Sequence, residues 1–215
     1  MKTYVTDEKG NASLYLLWLL GIVALLFIIV LNMTKAFLTG HEASSVVEQA
    51  AFSGTSVYIR ESKQAIADFD GDPDSILTRP HHGGKTIGEL ISEKQTEHEG
   101  NGYSPDQAYI KALNDVLPGE IDAHSELKDA FVDRFSSVSI NDQVFGAVQS
   151  IIQNHADANP SDTRVILSNT DWRLEVESTV TFKSISDSNY IPVFQEKISS
   201  TGYGPKLLYL ENVYN

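Results

Sequence analysis

The dominant pattern in the chain is an unbroken apolar run from Leu14 to Leu31, LYLLWLLGIVALLFIIVL, with no charged residue. As a helix at ~1.5 Å per residue it is ~27 Å long, close to the ~30 Å hydrocarbon core of a bilayer. Ala12 and Ser13 before it and Asn32 to Thr34 behind it complete a span. Inside lipid only a helix satisfies its own backbone polar groups, so the run predicts a transmembrane helix over residues 12–34. A cleaved secretory signal has a shorter apolar region of ~7–15 residues. The stretch behind the run, NMTKAFLTGHEA, also offers no strong A-x-A cleavage site.

The helical pattern continues past the run. Met33, Phe37, Gly40, Ser44, Val47, Ala51, Gly54 and Tyr58 repeat at 4-3 spacing, with Ala36, Ala43, Ala50 and Val57 beside them every seventh residue. This is a heptad-like stripe, and its residues are small. Small stripes let helix backbones approach closely, so Ala36, Gly40, Ala43, Val47, Ala50, Ala51 and Gly54 are the candidate packing face. Either the chain's own domain or another subunit could cover it. The expected helix runs through residues 35–60, giving ~73 Å from residue 12 to 60.

Residues 61–215 read as one α+β domain. DFDGDPDSILTRPHHGGK over 68–85 is rich in acids, Pro and Gly and predicts a loop. Thr86-Ile-Gly-Glu89 is a capping box opening a helix to about His98, and Ser104-Pro-Asp-Gln107 opens another that Pro118-Gly119 should end. Further helices are expected from Ser125 to Phe135 and from Asn141 to His155, the latter from Val144, Phe145, Val148, Ile151 and Ile152. After Pro160 the period drops to two. Trp172, Leu174, Val176, Val180 and Phe182 alternate with polar residues as a half-buried strand. Val165–Leu167, Ile191–Ile198 and Leu207–Val213 supply three more candidate strands, with Gly202-Tyr-Gly-Pro205 as a turn. Short connections between them argue an antiparallel sheet. The expected architecture is therefore a long N-terminal helix, a helical middle and a C-terminal antiparallel sheet.

Charge narrows the partners. The chain has 29 Asp+Glu against 16 Lys+Arg, a net charge of −13 in 215 residues, and the whole acidic excess lies beyond residue 40. Such a surface repels nucleic acid and anionic lipid, so nucleic-acid binding is not expected. There is no cysteine, which excludes disulfides, thiolate metal sites and cysteine nucleophiles. Lys2 and Lys9 precede the run and Lys35 follows it, which favours a short cytoplasmic N-terminus over residues 1–11 and an extracytoplasmic acidic domain.

Catalytic signatures are missing: there is no G-x-S-x-G, H-E-x-x-H, P-loop or G-x-G-x-x-G. No cofactor is expected. Asp68, Asp70, Asp72 and Asp74 alternate like the start of a calcium loop, although Pro73 and Arg79 stand where such a loop needs Gly and an acid. An acidic surface turn explains the same residues. His81-His82 reads as an exposed loop pair. His98 and His155 sit near helix C-termini, where an imidazolium suits the dipole.

Asp7-Glu8-Lys9-Gly10-Asn11, directly followed by the span and then by an Ala-rich small-residue helix, resembles the start of the TadE/TadG-like family. These are pilin-like membrane proteins of the tight-adherence (Flp) pilus assembly system. The resemblance covers about residues 7–58, and Ile191-Pro-Val-Phe194 looks like the C-terminal part of such proteins. It implies a non-catalytic pilus or secretion-assembly component whose N-terminal helix meets other pilin-like subunits. It also implies a cleavage site after Gly10, making Asn11 the new N-terminus. Counted from Asn11 the fifth residue is Tyr15, where filament pilins usually carry Glu. That departure fits a tip or initiating subunit, or an uncleaved assembly component. The competing expectations are a membrane-anchored sensor or Ca²⁺-dependent adhesin contacting its ligand through 68–85, and an anchored hydrolase. N-terminal sequencing of the membrane-extracted protein should find the Leu14–Leu31 run retained. A start at Met1 marks an uncleaved anchor and a start at Asn11 marks pilin-type processing. A start beyond Leu31 would overturn the anchor.

Overall fold

The fold is described by a computed structural model covering residues 8–73, 75–186 and 193–215. The α+β architecture matches the expected order. A single helix, α1 (Glu8–Gly71), runs for 64 residues, about 96 Å at ~1.5 Å per residue. Gly10 and Asn11 lie within it, so the described part of the expected N-terminal segment 1–11 is helical. Its other end passes the expected limit at residue 60. Glu61 and Ser62, then Ala65, Ile66 and Phe69, are buried at helical spacing, and this burial carries the helix through the acidic residues that read as a loop.

The middle of the chain is helical, as expected. After α1 come a short α2 (Ser75–Thr78) and a 3₁₀ turn (Arg79–His82), then α3 (Ile87–Gly100), α4 (Pro105–Ala123), α5 (Ser125–Ser137) and α6 (Ile140–Gln153). Both expected capping boxes form, at Thr86/Glu89 and Ser104/Gln107. Pro118-Gly119 does not end α4. The buried face of that helix continues from Leu113 and Leu117 to Ile121, and this packing holds the backbone helical past the proline.

Three strands, β1 (Arg164–Leu167), β2 (Arg173–Lys183) and β3 (Gln195–Lys206), form an antiparallel sheet in the order β1-β2-β3. β2 alternates as expected, with Leu174, Val176, Val180 and Phe182 buried. Ser178 shares that face and satisfies its hydroxyl against Thr163 at 2.9 Å. Two expectations are corrected here. Gly202-Tyr-Gly-Pro205 is not a turn but the last third of β3, with a bulge against Arg173–Glu175 where Pro205 is tolerated. Leu207–Val213 is not a strand. Leu207, Leu210 and Val213 are buried at helical spacing and lead into a short α7 (Leu210–Tyr214). β3 begins at Gln195; Ile191 and Pro192 lie outside the described residues.

The outer half of α1 packs against β2 and β3 on one side and against α5 and α6 elsewhere. Gly202 and Gly204 set the distance to β3. They are two apart on one strand and so face the same way. A Cβ at Gly202 would land on the Val47 carbonyl of α1, and one at Gly204 would land on the Thr55 hydroxyl. Further along, the buried Ser62 and Tyr209 hydroxyls pair at 2.7 Å, which lets a polar residue sit inside the core. Gly202→Ala should therefore lower stability by ~3 kcal/mol or more, beyond ordinary overpacking because the obstacle is backbone. Thermal unfolding of the full chain in detergent micelles, followed by circular dichroism, measures this. Tyr203→Ala, at the intervening exposed position, should cost much less.

Candidate functional site

α1 divides into two functional lengths. Among the described residues it is the one helix long and apolar enough to cross a membrane, and none of its apolar window is buried. Trp18 and Phe27 are 68 % and 62 % exposed, which a water-facing helix of this composition would not sustain. This suggests a single-pass membrane anchor.

The candidate packing stripe begins where the run ends. Ala36 and Gly40 are half-buried, whereas Ala43, Val47, Ala50, Ala51 and Gly54 are buried by the chain's own domain. Ser44 Oγ meets Ser200 Oγ of β3 at 3.0 Å. At Gly54 a Cβ would collide with Leu174 of β2 and come within 3.0 Å of Val148 of α6, so sheet and helix both abut α1 there. Of the two ways to cover the stripe, the structure uses the intramolecular one from Ala43 to Gly54. The domain also reaches back toward the run, where the Ile185 backbone N–H, just past β2, donates to Asn32 Oδ1 at 2.7 Å. Asn32 in turn donates to the Ile28 carbonyl at 3.0 Å.

Asp68 and Asp70, the first two of the alternating acids, do not converge. Asp68 and Asp70 are two apart on α1 and therefore face different directions. Asp68 accepts from Gln64 at 2.8 Å. Both Asp70 carboxylate oxygens are committed to the start of α3, accepting from Ile87 N at 3.1 Å and Gly88 N at 2.8 Å. A carboxylate there suits the positive end of the helix dipole. Asp72 follows the end of α1, and Asp74 lies outside the described residues.

Two charged clusters were not expected from the sequence. Glu61 of α1 is buried and accepts from Arg60 Nε at 2.8 Å and Arg134 Nε of α5 at 2.9 Å. Burial opposes its ionisation, but the hydrogen bonds from the two arginines outweigh it and hold the carboxyl below the usual range. The second cluster joins His82, at the end of the 3₁₀ turn, to Glu120 and His124 of the α4 terminus. His82 Nε2 lies 3.0 Å and His124 Nε2 3.6 Å from Glu120 Oε2. His82 is thus not the exposed loop residue its neighbours suggest; 15 % of its side chain is accessible. Glu120 and His124 are spaced to share one helix face, but nothing in the sequence ties them to a histidine 38 residues before Glu120.

Comparison of the chain with family models, curated proteins and solved structures finds no match in any of the three.

Arg134→Met leaves Glu61 with Arg60 alone and should cost ~2–3 kcal/mol, below the full cost of breaking a buried pair because one partner remains. The sign with pH follows from the lowered carboxyl. The stabilisation is present above the unfolded value of ~4.3 and is lost as pH falls through the lower folded value. Unfolding curves at pH 7 and pH 3 should show a larger wild-type advantage at pH 7.

Proposed function

We propose that the chain is a single-pass, membrane-anchored, pilin-like subunit of a tight-adherence (Flp-type) pilus or secretion assembly, with a structural, non-catalytic role. The observation that carries this reading is the division of one unbroken helix into a bare apolar length and a length clothed by an α+β domain. The bare length, about residues 12–38, needs lipid or other apolar helices around it. The clothed length has its small-residue face occupied by β2, β3 and α6, so contacts with neighbouring subunits fall to the bare one. The Gly10-Asn11 element and the resemblance over residues 7–58 support a TadE/TadG-like reading.

In this arrangement the N-terminus is cytoplasmic and the acidic domain extracytoplasmic, in keeping with Lys2 and Lys9 before the run and Lys35 behind it. Tyr15, where filament pilins usually carry Glu, favours a tip, initiating or assembly role over the filament body.

The absence of cysteine from the chain makes neighbours accessible to test. Single replacements such as Leu20→Cys and Phe27→Cys should give oxidation-dependent cross-links to pilus-assembly subunits in native membranes. Deletion of the gene in its host should abolish piliation and surface adhesion. Wild-type piliation in the deletion strain, with no cross-linked species from any position between residues 14 and 38, would overturn the proposal.

A further inference from the structure

We infer that His82, Glu120 and His124 form a Zn²⁺ site that staples the connection between α1 and α3 to the end of α4. The ligand atoms of the three side chains lie within 4.8 Å of one another, and their side chains are only 15 %, 17 % and 19 % accessible. Zinc holds imidazole nitrogen at ~2.0–2.1 Å and carboxylate oxygen at ~2.0–2.2 Å, so tetrahedral ligands sit ~3.4 Å apart. The two histidine–carboxylate separations, 3.0 and 3.6 Å, straddle that value.

The competing explanation is a plain ion pair, and the hydrogen bonding argues against it. A histidine and a carboxylate in a half-enclosed site should align an N–H on an oxygen. Here His82 Nε2 and Glu120 Oε2 are both buried and 3.0 Å apart, yet neither makes an aligned hydrogen bond to the other or to any other described residue. A buried polar atom without a hydrogen bond is costly, and a shared cation satisfies both atoms at once. The near-perpendicular rings of His82 and His124, 6.4 Å apart at 78°, do not stack over each other. Two imidazoles with one carboxylate favour zinc over the all-oxygen coordination of Ca²⁺ or Mg²⁺. Three protein ligands leave a fourth position for water.

The local fold supplies the site. Glu120 lies in the last turn of α4 and His124 caps its C-terminus, its backbone N–H donating to the Glu120 carbonyl at 2.9 Å. Gly83 and Gly84 follow His82 with φ of 64° and 90°, a conformation that favours glycine, and Gly84 N donates to Arg79 O at 2.8 Å. That tight turn closes the chain behind His82. His124 is also the junction residue between α4 and α5. A cation here would cross-link segments of a cysteine-free chain that has no disulfide to do so. The inference is independent of the proposed pilus role.

Untagged full-length chain in detergent micelles, stripped with EDTA and titrated with ZnCl₂, tests the site by calorimetry. One equivalent should bind with micromolar or tighter affinity and raise the unfolding temperature. Glu120→Gln and His124→Ala should each weaken binding at least tenfold. His98→Ala should leave it unchanged, because His98 pairs with Asp115 away from the cluster. Diethylpyrocarbonate footprinting of the wild-type chain needs no variant to fold; zinc should protect His82 and His124 and leave His41 reactive. Absence of saturable binding, unchanged affinity in both variants, or a footprint indifferent to zinc would overturn the inference.

Discussion

The approach of β3 to α1 at Gly202 and Gly204 is the constraint on which the rest of the domain depends. At Gly202 backbone meets backbone, since a Cβ there would occupy the Val47 carbonyl, and at Gly204 the strand backbone sits on the Thr55 side chain. The distance so fixed brings Val47, Ala51 and Thr55 of the helix against β3 and places β2 one strand spacing further on. With β2 in place, Leu174 reaches Gly54, and Val148 of α6 closes on the same glycine. Small residues on one helix face and an alternating glycine pair on one strand are two halves of a single packing solution.

What could be read from the sequence was local or strictly periodic. The capping boxes at Thr86 and Ser104 involve residues three apart, and the alternation of β2 extends over eleven residues, so neither needed knowledge of the fold. Most of the misreadings share one cause. Gly, Pro and Asp read as breakers, but tertiary burial overrides them. Leu117 and Ile121 carry α4 past Pro118, and Ala65, Ile66 and Phe69 carry α1 into the acidic stretch. Gly202-Tyr-Gly204 has turn composition, yet its period of two was the sign of a strand face cleared for a neighbour. Leu207, Leu210 and Val213 gave too short a helical signature to separate from a strand. The meeting of His82 with Glu120 and His124 depends on how the connection after α1 folds back, which no local pattern encodes.

Buried polar groups locate the joints between elements. Glu61 fastens α5 to α1 through Arg134, Asp70 fastens the start of α3 to the end of α1, and Ser62 receives Tyr209 from the C-terminal segment. Each contact uses a polar residue of α1 that would weaken an isolated amphipathic helix. Together they account for a helix that is polar at several inward positions and still continuous over 64 residues.

The hydrogen bond from the Ile185 backbone to Asn32 has a geometric consequence for the proposed assembly. It grips α1 at the foot of the domain, while Asp70 grips it at the far end. Held at both ends, the helix cannot swivel inside its own domain. The azimuth of every side chain in the bare length is thereby indexed to the outer surface. A neighbour that selects one face of the buried helix selects, in the same act, the compass bearing of the domain above it.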